Sequence, residues 1–413
     1  MYSSRMQIQI NSAYQPLWLP RTRYILLTGG RASSKSFSMA LWACDALSRH
    51  PGWRILYTRY TMTAAEISII PEFQDKISLL GIDGDVEVTR TNIRHKVTGT
   101  DILFSGIKTS SGNQTARLKS IPKLNVFIVD EAEEFVDEAA FDTIDESIRR
   151  EDAPNIVLIA MNPQTTDHWV YRRWFEGHTK YRDIDGHQVP ISTHPQLTHI
   201  HTTWHVSKAH LSQDYLDKII HLRDTQPAKY AHRFLGQWLE RSEGAVYQNW
   251  IEGAFDESLP SAYGLDFGFF PDPLALVETA IDKKLKRVYV RQHLYATNLS
   301  TSSVRGDVAR RTGRKPVICD TSEPRLIAEL QEAGVNAQKA DKGPDSILNG
   351  IRALQDFTIV VSQESHDIKR ELRLYSWNDK KHSIPIDAHN HAMDALRYCF
   401  TFLNAGSSFV AGR

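Results

Sequence analysis

Residues 24–36 read Tyr-Ile-Leu-Leu-Thr-Gly-Gly-Arg-Ala-Ser-Ser-Lys-Ser, and this stretch decides the fold of the first half of the chain. The apolar run at 24–27 predicts a buried strand, and the apolar positions within 37–47 recur at helical spacing. A glycine-rich turn between a strand and a helix N-terminus suits phosphate, because backbone N–H groups and the helix dipole converge there. The stretch therefore predicts a nucleotide-binding loop.

Seven residues of this loop are predicted to contact the nucleotide: Gly29, Gly30, Arg31, Ser33, Ser34, Lys35 and Ser36. Lys35 supplies a compact cation for the β- and γ-phosphates of ATP, and the Ser36 hydroxyl is a ligand for Mg²⁺. The common pattern G-x-x-x-x-G-K-[ST] has glycine where this chain has Ser34. Because a side chain restricts the backbone, we expect an awkward geometry at Ser34 and a different grip on the nucleotide.

A second motif, Val-Phe-Ile-Val-Asp-Glu at residues 126–131, is a predicted buried strand that ends in two carboxylates. Asp130 is expected to hold Mg²⁺, and Glu131 to orient or deprotonate the attacking water. The two motifs together predict an ATP-hydrolysing site and disfavour the alternative for the loop, a Gly/Ser turn before a core helix. The acidic residues that follow are interpreted as a solvated helix face: Glu133, Glu134, Asp137 and Glu138.

Several other polar residues have two interpretations each. Arg31 is positioned to neutralise the γ-phosphate in cis, whereas Arg117 is a candidate for the same task in trans; either is otherwise a surface charge. Asn162, after a predicted strand, is a sensor of the γ-phosphate or the cap of a turn. Tyr14 and Gln15 read the adenine or belong to a packed N-terminal strap.

Length and composition favour two domains. The chain has 413 residues, enough for two cores, and 49 basic residues balance 49 acidic ones, so net charge neither demands nor excludes nucleic acid. Three widely spaced cysteines build no disulfide framework, which fits a reducing cytoplasm, and no apolar run reaches transmembrane length. We place the domain boundary near Gly244, which gives domains at 1–245 and 246–413.

Strands and helices are predicted to alternate along the first domain. The predicted strands are 24–27, 54–58, 102–105, 126–129 and 156–160, and the predicted helices are 37–47, 64–80, 141–149, 211–222 and 227–234. Such alternation predicts an α/β fold with a doubly wound, mostly parallel sheet. Histidines are frequent at 187–210, where His201 and His205 are assigned to a strand, but no cysteines accompany them and a metal site is disfavoured.

The second domain contains a different set of acidic residues. Asp266 and Asp320 end predicted strands, Asp394 lies on a final helix at 391–403, and Asp272 and Glu323 are reserve candidates. Carboxylates beside apolar residues are costly unless they are paired or bind metal. If the first three converge, they can hold two divalent cations that clamp a phosphodiester, with Asp266 as the bridging ligand. His391 precedes Asp394 by three residues and shares its helix face, so it is a further metal ligand or proton carrier.

Basic residues form three clusters in this domain, at 283–287, 305–315 and 369–381. Such clusters neutralise phosphates without reading sequence, although a solvated protein face explains each of them equally well. We expect at least one cluster to line DNA. The favoured one is the predicted hairpin with Lys283, Lys284, Lys286 and Arg287.

These motifs together make the chain resemble the large terminase subunit of tailed bacteriophages. The resemblance covers nearly the whole length, and the residues that carry it are Gly29–Ser36, Ile128–Glu131, Met161–Pro163, Phe234–Trp238, Gly264–Gly268, Asp320 with Ser322–Arg325, and His391–Tyr398. It implies a P-loop ATPase domain of the ASCE type joined to an RNase H-like nuclease domain. It also implies a task, which is to cut concatemeric viral DNA and pump it into a procapsid.

The resemblance also implies roles for individual residues. Lys35 and Ser36 then bind ATP and Mg²⁺, Asp130 is the acidic metal ligand, Glu131 is the catalytic carboxylate, and Asn162 couples hydrolysis to motion. The implied ligands of Mg²⁺ or Mn²⁺ at a two-metal nuclease site are Asp266, Asp320 and Asp394, supported by His391. The implied partners are double-stranded DNA, a small terminase subunit, a portal protein and further copies in a pentameric ring, all in the host cytoplasm and without a membrane.

Two other functions remain open at this stage. A P-loop ATPase-nuclease of DNA repair or recombination shares both folds, but a helicase of that kind needs strand-separating motifs, which we do not find. A scaffold with relic sites is disfavoured because Lys35, Asp130, Glu131 and the three aspartates are all present.

Overall fold

The computed structural model describes residues 10–59, 69–109, 112–113, 118–135, 137–241, 244–268, 272–343, 345–378 and 384–405. The chain divides into two compact units, Met1–Leu239 and Glu240–Arg413. Some positions named above lie outside the described residues: Arg117, Lys380, Lys381 and residues 64–68 of the helix predicted at 64–80. Within the described ranges, no helix combines the length and the apolar character that crossing a membrane requires.

The first unit is an α/β structure. Its strands are β1 (Tyr24–Gly29), β2 (Arg54–Arg59), β3 (Val86–Val88), β4 (Asn92–His95), β5 (Asp101–Gly106), β6 (Lys108–Thr109), β7 (Gly112–Asn113), β8 (Val126–Val129), β9 (Ile156–Met161), β10 (Thr179–Ile184), β11 (His187–Ser192) and β12 (Leu197–Thr202). Its helices are α1 (Gln15–Trp18), α2 (Lys35–Arg49), α3 (Ile70–Leu80), α4 (Glu138–Asp145), α5 (Trp169–Trp174), α6 (Gln213–Thr225) and α7 (Pro227–Leu235). Short 3-10 turns lie at Ser12–Tyr14, Asp83–Asp85, Ala132–Glu134 and Trp204–His210.

The main sheet of this unit confirms the predicted mostly parallel fold. Its order is β12-β1-β9-β8-β2-β5-β4-β3, and only the pairs that include β4 are antiparallel. Strands β8 and β9 are buried along their whole length, as expected for a parallel sheet covered on both faces. Because β9 lies between β1 and β8, the glycine loop after β1 and the two carboxylates after β8 share one edge of the sheet.

Three sequence expectations for this unit differ from the structure. The helix expected at 141–149 spans Glu138–Asp145, because Asp137 caps it by accepting the N–H of Ala140. The β10–β11 hairpin was not predicted, since β10 is largely exposed and neither strand contains an apolar run. His201 does lie in a strand, but His205 lies in the 3-10 turn that follows it.

The second unit is built on a mixed sheet. Its strands are β13 (Trp250–Glu252), β14 (Ser261–Asp266), β15 (Leu274–Asp282), β16 (Arg287–Ala296), β17 (Val317–Cys319), β18 (Ala337–Lys339) and β19 (Thr358–Val361). Its helices are α8 (Thr301–Thr312), α9 (Pro324–Glu332), α10 (Ser346–Gln355), α11 (His366–Leu374) and α12 (His391–Asn404). The sheet order is β13-β19-β16-β15-β14-β17-β18, with β14, β15 and β16 antiparallel and the other pairs parallel.

Helix α12 packs directly on β14, and a glycine makes this approach possible. A Cβ atom on Gly264 would lie 1.8 Å from the carbonyl oxygen of Ala395, so no side chain fits at this position. Asp266 is two residues beyond Gly264 on β14, and Asp394 adjoins Ala395 on α12. The contact therefore sets the distance between the two acidic residues.

We predict that Gly264→Ala destabilises the second unit by about 1–3 kcal/mol or more, because the added methyl group overpacks a backbone contact. Calorimetry of the full-length chain should record a lower unfolding temperature. Gly306→Ala is the matched control, since Gly306 lies within α8 with open space around it and alanine favours the helix. Equal behaviour of the two variants would contradict the packing argument.

Candidate functional site

The glycine loop and the acidic strand of the first unit face one cavity of about 250 Å³. Residues 30–37 of the loop line one part of this cavity, and Asp130, Glu131, Glu133 and residues 160–162 line the rest. The structure thus brings together the loop, both carboxylates after β8 and the asparagine after β9, as their positions in the sequence predicted.

Close backbone contacts shape the loop. A Cβ atom on Gly30 would lie 2.3 Å from backbone atoms of Phe234, and one on Gly236 would lie 2.6 Å from the Cα of Gly29. Ser34 adopts the left-handed conformation with φ +61°, which is the awkward geometry expected of a residue that replaces glycine. Its hydroxyl lies 2.5 Å from that of Ser207, a contact that helps to hold this conformation.

Lys35 points into the loop that it belongs to. Its ammonium donates to the carbonyl oxygens of Gly29 and Gly30 at 2.9 Å each, to Ser33 Oγ at 3.0 Å and to Asn162 Oδ1 at 3.0 Å. Burial lowers the pKa of Lys35 to about 8, although Glu133 and Asp130 act in the opposite direction. The ammonium is therefore held where phosphate oxygens can replace the carbonyl groups.

Asp130 is buried with a cation beside it. Arg59, at the end of β2, donates to Asp130 Oδ2 from Nε at 2.9 Å and from Nη2 at 2.7 Å. Tyr57 donates to the same oxygen at 2.6 Å, and Ser36 Oγ donates to Oδ1 at 3.3 Å. The two predicted Mg²⁺ ligands thus touch each other, while Arg59 neutralises the carboxylate.

Glu131 and Arg31 border the solvent side of the cavity. Glu131 has a left-handed backbone with φ +54° and a side chain that is 43% exposed, 3.6 Å from Arg59 Nη1. Burial raises the pKa of Glu131, and Arg59 opposes this rise. Arg31 is exposed at the rim of the cavity, and its backbone N–H donates to the carbonyl of Arg233 at 2.7 Å.

Glu133 corrects the expectation of a wholly solvated acidic face. Its carboxylate accepts the side-chain amide of Asn162 at 2.7 Å and the backbone N–H of Asn162 at 3.1 Å. The amide of Asn162 is thereby oriented so that its oxygen faces Lys35. Burial raises the pKa of Glu133, and the bonds from Asn162 oppose this effect.

The N-terminal segment supports the loop from behind. Tyr14 is fully buried, and its hydroxyl donates to the carbonyl of Ser33 at 2.5 Å and lies 2.7 Å from Thr202 Oγ1. Tyr14 is thus a packed strap residue, whereas Gln15 is exposed at the start of α1. Two of the histidines have structural contacts, since His199 and His201 share the hydroxyl of Thr28 at 2.7 and 2.8 Å.

In the second unit, two of the predicted acidic residues end neighbouring parallel strands. The N–H of Asp320 donates to the carbonyl of Leu265 at 2.9 Å, which continues the β14–β17 pairing and brings Asp266 and Asp320 side by side. Burial raises the pKa of Asp266, and the contact with His391 opposes the rise. For Asp320, burial is outweighed by Lys342 and Ser322, which together hold its pKa below the usual range.

The N-terminal turn of α12 supplies the other two predicted ligands. His391 Nδ1 lies 3.0 Å from Asp266 Oδ2, and its Nε2 lies 3.6 Å from Asp272 Oδ1. Asp394 pairs with Arg397 one turn further on. Burial raises the pKa of Asp394 despite Arg397, and the nearby charge of Asp266 adds to the rise.

Each of the three aspartates that are predicted to bind metal in the second unit therefore has a basic partner. These partners are Lys342 on Asp320, His391 on Asp266 and Arg397 on Asp394. In the described part of the chain, no group of three His, Cys, Asp or Glu side chains is arranged ready to hold a metal ion. The donor set of carboxylate oxygens and one imidazole nevertheless suits Mg²⁺ or Mn²⁺ in its chemistry.

Sequence reasoning misjudged Glu133 and assigned no role to several residues that contact or position the candidate site residues, among them Tyr57, Arg59, Lys342, Glu371 and Arg397. Glu371 of α11 accepts the N–H groups of Ala392 and Met393 at 2.7 and 3.1 Å, and so caps α12 beside His391. Arg59 could have been found, because it directly follows the predicted strand at 54–58 and strand ends gather at one edge. Lys342 and Glu371 carry no such local signal.

The three basic clusters differ in exposure. Residues 283–287 of the β15–β16 hairpin are exposed. In the second cluster, Lys315 is bound to buried Glu278 at 2.7 Å. In the third cluster, Lys369 is itself buried, 3.2 Å from Glu252, so it is not part of a solvated basic face.

Comparison with known proteins assigns both halves of the chain. The family model of the phage terminase large subunit matches residues 21–237, and the model of the terminase RNase H-like domain matches residues 266–401. The large terminase subunit of Bacillus phage SPP1 is 27% identical over 405 residues, which cover 91% of this chain and 90% of that protein. The PBSX phage terminase large subunit of Bacillus subtilis strain 168 is 23% identical over 396 residues, or 91% and 89% of the two chains.

Solved structures of large terminases are similar as well. The SPP1 large terminase nuclease domain with bound Mn is 31% identical, covers 38% of this chain and 97% of that chain, and has a TM-score of 0.34. The large terminase of a thermophilic bacteriophage, in complex with ADP, is 17% identical, covers 96% and 100%, and has a TM-score of 0.45. Since the first family model spans more than half of the sequence, the chain belongs to the phage terminase large subunit family, with an ATPase domain followed by an RNase H-like nuclease domain.

Proposed function

We propose that this terminase subunit hydrolyses ATP at the β1 loop to drive double-stranded DNA into a procapsid through the portal, and cuts concatemeric DNA at the ends of β14 and β17. The observation that carries the proposal is the single cavity that joins Lys35, Ser36, Asp130 and Glu131. The proposed ATPase domain with its linker is 1–245, and the proposed nuclease domain is 246–413.

In the ATPase domain, catalysis rests on positioning and charge neutralisation. Lys35 exchanges its carbonyl partners for the β- and γ-phosphates of ATP. The backbone N–H groups of loop residues 29–34 hold the phosphate chain. A Mg²⁺ ion held by Ser36 and Asp130 would supply further neutralisation of the phosphate oxygens. Glu131, whose raised pKa makes it a better base, orients the attacking water, and exposed Arg31 reaches the γ-phosphate.

Asn162 is the proposed sensor of hydrolysis. Its amide oxygen contacts Lys35 and its amide N–H group is fixed by Glu133, so the three side chains form one hydrogen-bonded chain. When the Lys35 ammonium binds a phosphate oxygen, Asn162 Oδ1 loses the hydrogen bond from Lys35. The presence or loss of the γ-phosphate is thereby transmitted to the segment after β9.

In the nuclease domain, Asp266, Asp320 and Asp394 are the proposed ligands of two divalent cations, Mg²⁺ or Mn²⁺. The cations would polarise the scissile phosphodiester and activate a water. His391 is a fourth ligand or a proton carrier, held by its contact with Asp266. Glu371 fixes the turn that bears His391 and Asp394, because it accepts two N–H groups of that turn.

DNA and protein partners complete the proposal. The exposed basic hairpin at 283–287 is the favoured DNA contact, because Lys315 and Lys369 of the other two clusters are bound to carboxylates of the protein. The proposed protein partners are a small terminase subunit, a portal protein and further copies of this chain in a ring, in the host cytoplasm. In such a ring Arg117 is the candidate for an arginine that acts in trans.

Lys35→Ala is expected to lower ATP turnover by about a thousandfold or more, because the phosphates lose their main cation. Phosphate release assays on the full-length chain measure the loss. Metal-dependent DNA cutting by the same preparation should persist, and an unchanged calorimetric unfolding profile is the control for folding. Normal ATP turnover in the variant would contradict the assignment of the loop.

The affinity for ADP is expected to fall above pH 8, by up to about tenfold per pH unit. Below pH 8 Lys35 is already protonated, and above it the binding of phosphate must take up a proton, since its pKa of about 8 rises beside the anion. The phosphates themselves are ionised throughout this range. Calorimetric titrations at pH 7 and pH 9, in buffers with different ionisation heats, measure the number of protons taken up when ADP binds. Equal proton uptake at the two pH values would be inconsistent with this explanation.

Asp266→Ala is expected to abolish plasmid cleavage in Mn²⁺ or Mg²⁺ while ATP turnover persists, because the proposed bridging ligand is lost. Cleavage by the wild type should stop in EDTA. Asp356→Ala, which removes an exposed carboxylate at the end of α10, is the matched control and should cut DNA normally. Undiminished cutting by Asp266→Ala would remove Asp266 from the site.

A further inference from the structure

Lys342 has no role in the mechanism derived above, yet its ammonium bonds directly to a proposed metal ligand. It lies in the loop after β18 and donates to Asp320 Oδ1. The other oxygen of Asp320 accepts the hydroxyl of Ser322 at 2.8 Å. A divalent cation that coordinates Asp320 would therefore compete with Lys342 for this carboxylate.

The surroundings of Lys342 permit it to move. Its side chain is 37% exposed, whereas that of Asp320 is 11% exposed, so the cation sits on the solvent side of the pair. The ammonium also lies 5.1 Å from the centre of the Tyr398 ring, on the face of α12 beside Arg397. A long flexible stem with an exposed head can leave the carboxylate without disturbing the core.

We propose that Lys342 contacts the DNA phosphodiester at the cutting site, and that it rests on Asp320 until a divalent cation takes that carboxylate. The inference rests on the proposed nuclease function. Two cations on one carboxylate repel each other, so the arrival of the metal displaces the ammonium. A phosphodiester bound at that metal would be an anion within reach of Lys342, which would neutralise the charge that develops on it.

The test compares Mn²⁺ binding with DNA cleavage in the full-length chain. Lys342→Met keeps most of the stem and removes the competing charge, so Mn²⁺ should bind roughly threefold to tenfold more tightly in calorimetric titrations without DNA. At saturating Mn²⁺ the same variant should cut plasmid DNA about tenfold more slowly or worse, because a cation at the phosphate is lost. A merely structural role predicts instead that binding and cleavage weaken together.

Two further variants complete the test. Lys342→Arg keeps the charge and should restore Mn²⁺ affinity and the cleavage rate toward the wild type. An unchanged calorimetric unfolding profile shows that each variant is folded. Lys339→Met removes an equally charged, exposed side chain three residues earlier and should leave both values unchanged.

Either of two results overturns the inference. One is unchanged or weaker Mn²⁺ binding by Lys342→Met, and the other is undiminished cleavage by that variant. If Asp320→Asn binds Mn²⁺ as tightly as the wild type does, the proposed nuclease site is refuted, and the inference with it.

Discussion

Carboxylates at the ends of buried strands are the constraint around which both units are organised. Asp130, Asp266 and Asp320 are each buried, and an unpaired charge at such depth is strongly unfavourable. Each has a basic partner: Arg59, His391 and Lys342 respectively. A metal ion at either proposed site would therefore compete with the basic partner that each carboxylate already has.

The sheets explain why these charges meet at all. In the first unit β9 lies between the loop strand and the acidic strand, so the glycine loop, Asp130 and Asn162 reach one edge from three neighbouring strands. In the second unit β14 and β17 pair in parallel, which puts Asp266 beside Asp320, and Gly264 lets α12 deliver Asp394 to the same end. Strand ends thus supply most of the acidic residues of both sites, and helix α12 supplies Asp394.

The sequence was sufficient to predict an element or a site residue where the pattern lies within one short segment. The loop at 29–36, the strand before Asp130 and the helix that bears His391 and Asp394 were predicted from apolar periodicity and motif spacing, and the structure confirms these elements. It was insufficient to predict the role of a residue that contacts a part of the chain distant in sequence. Glu133 was misjudged because only the fold brings it to Asn162, and Lys342 stands in a polar loop that no periodic pattern distinguishes.

The contact between the glycine loop and residues 233–236 has a mechanical consequence. Gly29, Gly30 and Gly236 let main-chain atoms meet, and the N–H of Arg31 is bonded to the carbonyl of Arg233. Side chains accommodate small displacements by changing rotamer, but two backbone segments in direct contact lack this freedom. A shift of a few tenths of an ångström in the loop must therefore be shared by the end of α7, which makes this junction a stiff linkage between the phosphate site and the last residues of its unit.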